Sequence, residues 1–141
     1  ADWPYVTSTF QDPPPAAANQ DSAHYKLTKG VRQVPRDRAS IMQVLSNRQT
    51  IAFGFTVYES FESQAVASSG RVPMPQHGEK VMGGHEVLAI GYLRAEPHYV
   101  LCRNSWDKTW GDRGYFLFPW AYICDHSLAD DLRTITRPAG K

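Results

Sequence analysis

The sequence predicts an α+β fold built on an antiparallel sheet or small barrel, and three observations carry that expectation. Asp37 stands before Ile41, Val44 and Leu45, an apolar stripe at helical spacing with a good N-cap residue type in front of it. Ile51, Phe53, Phe55 and Val57 then alternate with Ala52, Gly54 and Thr56, the period-2 signature of a strand with one heavily apolar face. Three further β-rich segments follow at turn-length spacing: Glu86 to Tyr92, Tyr99 to Arg103 and Gly114 to Phe118.

The remaining elements are weaker. The first 35 residues read as an irregular, surface-wrapping strap: Gln11-Asp12-Pro13-Pro14-Pro15 forbids regular helix or a central strand, and Ala16-Ala17-Ala18-Asn19-Gln20 has no apolar face. Tyr25 to Val34 suggests a short extended stretch bent at Gly30. The helix covers about residues 38–47 and closes near Asn47. Between Glu59 and Gly84, Ser68-Ser69-Gly70, Val72-Pro73-Met74-Pro75 and Gly83-Gly84 imply a long loop with at most a turn of helix near Phe61 to Val66. Leu132 to Thr136 adds one more strand. Phe116, Phe118 and Trp120 read as core.

Composition bounds the function. Of 141 residues, 42% are apolar and 21% charged, as in a packed globular chain. Fifteen Lys and Arg against fourteen Asp and Glu leave a formal charge of +1, with no basic stripe for a phosphate backbone or an anionic membrane, so no nucleic-acid or membrane partner is expected. No apolar run approaches the roughly 18 residues of a membrane span, and Ala1-Asp2-Trp3-Pro4 lacks the pattern of a signal peptide, which leaves the compartment open. Cys102 and Cys124 are buried thiols or one bridge. With the other His residues, His24, His77, His98 and His126, assigned to solvent, they lack the spacing of a zinc site, and no metal or cofactor is expected.

The informative block is Gly83-Gly84-His85-Glu86-Val87-Leu88-Ala89-Ile90-Gly91-Tyr92, then Arg103-Asn104-Ser105-Trp106, then Trp110-Gly111-Asp112-Arg113-Gly114-Tyr115. A lone His before an apolar strand is ordinarily structural, but Asn-Ser-Trp beginning 19 residues later is a specific companion. The block resembles the C-terminal half of the papain family of cysteine peptidases, and the wording of Glu59-Ser60-Phe61 and Gly70-Arg71-Val72-Pro73 looks most like its bacterial branch. The resemblance covers nearly the whole chain. It implies a papain-like fold in which residues 1–36 end the helical half and cross over as a strap, and 37–141 form the antiparallel barrel domain with one packed helix.

By that resemblance His85 is the imidazole that activates a thiol and later protonates the leaving amine, and Asn104 is the amide that orients it. Trp106, two residues beyond Asn104 and so on the same face of an extended segment, shields the His–Asn bond from water. Trp110 belongs to the primed side, Gly83 and Gly84 leave room for substrate backbone, and Trp3 and Pro4 wall a substrate pocket. Glu86 points away from the face of His85. Asp107 replaces a family Gly after Asn-Ser-Trp, which raises the question of a positive φ there.

Neither cysteine occupies the family's nucleophile position. The family places its Cys roughly 130–150 residues before the His and Asn, whereas 84 residues precede His85. The nucleophile and the oxyanion Gln are therefore expected roughly 50 residues upstream of Ala1, or on a second polypeptide. The implied function is the His/Asn-bearing part of a cysteine endopeptidase acting on peptide or protein substrates, inactive by itself. The alternatives are a non-catalytic papain-like module that binds a peptide or protein, and an acyl transferase or ligase using the same triad. The partner is a Cys-bearing polypeptide, or a second copy docked through an exposed apolar face.

Overall fold

The computed structural model describes residues 6–9, 11–22, 24, 30–94 and 98–135. Trp3, Pro4 and Tyr25 to Lys29 lie outside that set. The chain divides into two compact units, Ala1–Gly30 with Arg137–Lys141, and Val31–Thr136. In the first, a 3-10 turn spans Thr7–Thr9, and α1 spans Ala16–Ser22 with no buried residue. The strap is thus partly helical: Pro15 leads directly into the helix with its carbonyl accepting from Asn19 N–H at 3.1 Å, and three alanines suffice to propagate it without an apolar face.

The second unit is an α+β structure around six antiparallel strands: β1 (Val31–Gln33), β2 (Ile51–Tyr58), β3 (Val81–Tyr92), β4 (Tyr99–Arg103), β5 (Tyr115–Pro119) and β6 (Ala129–Ile135). They are ordered β1-β6-β2-β3-β4-β5. Along β2 every second residue, Ile51 to Val57, is buried and the others are half-buried, as the alternation requires. In a flat sheet β2 and β5, three ladder steps apart, would stand about 14 Å from each other. Yet the Phe118 ring of β5 lies 5.7 Å from Phe53 and 5.0 Å from Phe55. The sheet is therefore curled around its aromatic core. Arg71 extends it beyond β5 through a parallel bridge to Leu117.

Helix α2 (Arg38–Ser46) buries Ile41, Val44 and Leu45, and Asp37 caps it by accepting from Ser40 N–H at 2.8 Å. Two short helices also pack on the core, α3 (Gln64–Ser69) through Val66 and α4 (Trp120–Ile123) through Trp120, Tyr122 and Ile123. α3 lies later than the expected turn near Phe61 because Ser63, not an earlier residue, caps it, and Gly70 closes it at φ +66°.

Three irregularities in pairing interrupt the sheet, two of them on the ladders of β2. Val57 pairs with Gly83 and Tyr58 with Val81, so Met82 is an extra residue and Gly83 sits at φ +150°. The long loop consequently ends at Val81: a glycine pair read as a breaker lies inside β3, where a bulge accommodates it. On the other side of β2, Ala52 pairs with Arg133 and Gly54 with Asp130, leaving a bulge at Asp131, whose φ is +50°. Between β3 and β4, the register shifts again between Ala89 and Gly91.

Candidate active site

His85 lies on β3 directly across from Phe55 of β2, and its ring is half-buried against Phe55 and Phe61 at centroid distances of 5.9 and 6.5 Å. Asn104 follows the last residue of β4 and is 2% exposed. The hydrogen-bonded registers of β3 on β4 and of β4 on β5 carry the two residues together, and His85 Nε2 stands 2.9 Å from Asn104 Oδ1.

The neighbouring backbone settles which atom donates. Asn104 Oδ1 also accepts from Ser105 N–H at 2.8 Å and from Trp106 N–H at 3.4 Å. Two amide donors converging there require an oxygen and exclude the flipped amide. In the His85–Asn104 bond, therefore, Nε2 carries the proton. The neutral imidazole then leaves Nδ1 as its basic nitrogen, the tautomer needed to take a proton from a thiol. Asn104 Nδ2, by contrast, is buried and has no hydrogen-bond partner among the described residues.

Trp106 stacks on the His85 ring with centroids 5.1 Å apart and planes 30° apart. It reaches that place by a different route from strand alternation. β4 ends at Arg103, and the two backbone bonds to Asn104 Oδ1 close a turn that folds Trp106 back over the imidazole. Trp110 packs edge-on against Trp106 at 5.2 Å and also touches Phe61 and Phe116, so it buttresses the stack from below. The residues after Trp106 are held by Asp107, whose carboxylate accepts from Thr109 N–H and whose carbonyl accepts from Trp110 N–H. Asp107 is not among the residues with positive φ, and the positive φ values in this loop fall on Gly111, Arg113 and Gly114.

Gly83 and Gly84 are exposed immediately before His85, and a Cβ on Gly83 would meet no atom within 4 Å. Glu86 is exposed and faces away from the imidazole. A cleft of about 220 Å³ borders His85, lined among others by Gly54, Thr56, Gly84, His126 and Asp130. Sequence reading did not pick out Gly54 or Asp130, and it sent His126 to solvent; His126 is exposed but borders the cleft. The available signal was Gly54 inside an otherwise bulky strand, a mark of close approach by another group. Cys102 is fully buried in β4 and Cys124 half-buried after α4; both are free, and burial pushes both thiols up, the reverse of what a nucleophile needs.

A family model described as papain family cysteine protease matches residues 1–126. The chain belongs to the papain family of cysteine proteases. An uncharacterised peptidase C1-like protein of Acanthamoeba polyphaga mimivirus is 35% identical over 146 residues, covering 96% of this chain and 47% of the viral protein. Papain of Carica papaya is 33% identical over 89 residues, which is 62% of this chain and 23% of papain. Among solved structures, xylellain, a cysteine protease from Xylella fastidiosa, matches with a TM-score of 0.76 at 34% identity, over 86% of this chain and 44% of that one. The chain spans less than half the length of each of these relatives.

Proposed function

We propose that this chain supplies the imidazole and its orienting amide to a papain-like Cys-His-Asn site that hydrolyses peptide bonds. The observation that carries the reading is the His85–Asn104 bond, in which the backbone of Ser105 and Trp106 fixes the amide and hence the tautomer. The nucleophilic cysteine and an oxyanion-stabilising Gln belong, on this reading, to a segment outside these 141 residues, joined to the same polypeptide or separate from it. The thiols of buried Cys102 and half-buried Cys124, both pushed up by burial, favour that assignment. Val81 and Met82, 55% and 45% exposed, lead into Gly83, Gly84 and His85 and, with Trp106, give apolar surface for such a segment to cover. On the same reading the exposed Gly83 and Gly84 admit substrate backbone.

The test is mass spectrometry of the full-length protein before and after a thiol-directed epoxide. One label is expected, on a cysteine other than Cys102 and Cys124, with uptake strongly slowed in His85→Ala. Labelling confined to Cys102 or Cys124, or no labelling at all, would overturn the reading.

A further inference from the structure

The turn that joins β2 to α3 is tied down by a carboxylate that the active-site description does not use. Glu79 Oε1 accepts from Ser60 N–H at 2.5 Å and Oε2 accepts from Gln76 N–H at 2.8 Å, so one side chain spans two segments of the long β2–β3 connection. Glu59 N–H donates to Lys80 O at 3.0 Å beside it, and the turn itself is wound by Phe61 N–H to Tyr58 O at 2.9 Å and Ser63 N–H to Ser60 O at 3.2 Å.

Phe61, the residue after Ser60, is 1% exposed and is the hub of the aromatic cluster under the site. Its ring lies 5.6 Å from Trp106, 5.5 Å from Trp110, 6.5 Å from His85 and 5.0 Å from Phe55. The shelf under the His85–Trp106 stack therefore depends on where this turn holds Phe61. We infer that Glu79 is a positioning residue for His85: it clamps the Ser60 backbone and so sets the Phe61 ring against which the imidazole and its tryptophan cover rest.

The inference deepens the peptidase reading and rests on it for its catalytic meaning, but the geometry is separable. Glu79 touches none of the reacting groups, and its route to His85 runs through the Ser60 backbone and the Phe61 ring. Two charged or strongly bound acceptor contacts to backbone N–H groups suit such a role better than a surface ion pair, because they fix a position instead of merely attracting a charge. Hydrogen bonding from Ser60 and Gln76 also holds this carboxyl below its ordinary range, so it stays ionised and acceptor-only.

The experiment compares the full chain with Glu79→Ala and Glu79→Gln by NMR, following Ser60 amide exchange, the His85 ring ¹⁵N and ¹³C shifts, and the Trp106 indole signal. Expected are faster Ser60 exchange, by about tenfold or more, and displaced His85 and Trp106 signals with the rest of the spectrum retained; Glu79→Asp should recover part of both. Should Glu79→Ala fail to fold, Glu79→Gln, which keeps the volume but places an amide donor opposite N–H groups, answers the same question. Faster Ser60 exchange with unmoved His85 and Trp106 signals would make Glu79 a loop clamp only, and unchanged Ser60 exchange would remove the clamp itself; either result overturns the inference. These readouts need no peptidase activity, so they stand or fall apart from the epoxide test of the proposed function.

Discussion

Asp130 leans across Gly54: its Oδ1 lies 2.6 Å from the point a Cβ on Gly54 would occupy. The bulge at Asp131 and the bare Gly54 together let a carboxylate fold over β2 at the edge of the cleft that reaches His85. On the proposed peptidase reading, that cleft favours a substrate side chain carrying positive charge. Because Asp130 is exposed, the preference is modest. Asp130→Asn should lower the ratio of kcat/KM for a basic over an uncharged side chain by roughly two- to fivefold, and Gly54→Ala should do the same by displacing the carboxylate. An unchanged ratio in both would exclude Asp130 from substrate recognition.

His85 and Asn104 differ in how much the chemistry needs them. Assayed with the Cys-bearing segment present, His85→Ala removes the general acid and base and should cost about 10²–10⁴ in kcat. Asn104→Ala leaves the imidazole but frees its ring and tautomer, and should cost less, on the order of tenfold or more. Equal activity in all three proteins would sink the triad assignment.

Gly111 tests the loop that carries the two tryptophans. It sits at φ +62°, and a Cβ there would stand 2.5 Å from Tyr115 O, while its N–H donates to Ala67 O at 2.7 Å. Gly111→Ala combines an unfavourable backbone region with a clash against a backbone atom, so it should destabilise the fold by about 1–3 kcal/mol. Urea denaturation gives the value, and a change within about 0.5 kcal/mol would show that the loop yields.

Acid stability follows from three carboxylates that accept backbone hydrogen bonds. Asp37 is held below the ordinary range by Ser40, Glu79 by Ser60 and Gln76, and Asp125 by Ser127. Each folded pKa is depressed, so the unfolded chain takes up these protons first as pH falls. Their stabilisation is complete above the ordinary carboxylate pKa of about 4 and is lost as pH drops through the lower folded values. Melting temperature measured from pH 7 downwards should fall through that window, and the slope should flatten in the combined variant Asp37→Asn, Glu79→Gln, Asp125→Asn. An identical slope would place the acid sensitivity elsewhere.

Much of the fold was legible because the β2 alternation and the Asp37 cap are strong local patterns that each name a structure from a few residues. The pairing of His85 with Asn104, 19 residues away, was legible only through the resemblance of the flanking motifs to the papain family. What was not legible depends on pairing between distant segments. β3 begins at Val81 because β2 is long enough to pair with it, and no local feature around Gly83 announces that. α3 has one buried anchor, Val66, so its periodicity is invisible, although Ser63 and Gly70 mark its ends. Trp106 reaches His85 through a turn made by the Asn104 side chain, not through strand alternation. Gly54 and Asp130 are 76 positions apart, and only the β2–β6 register brings them together.

The anchoring of Asn104 by its own two successors has a kinetic corollary. The amide that orients His85 is held by the backbone N–H groups of Ser105 and Trp106, and the Asn104 backbone N–H donates to Gly114 O, all within this chain. A thiol arriving at Nδ1 meets a base already in the right tautomer. If the Cys-bearing segment is a separate, already folded polypeptide, activity on mixing would then appear at a rate proportional to the product of the two concentrations, with no slow concentration-independent lag from this chain.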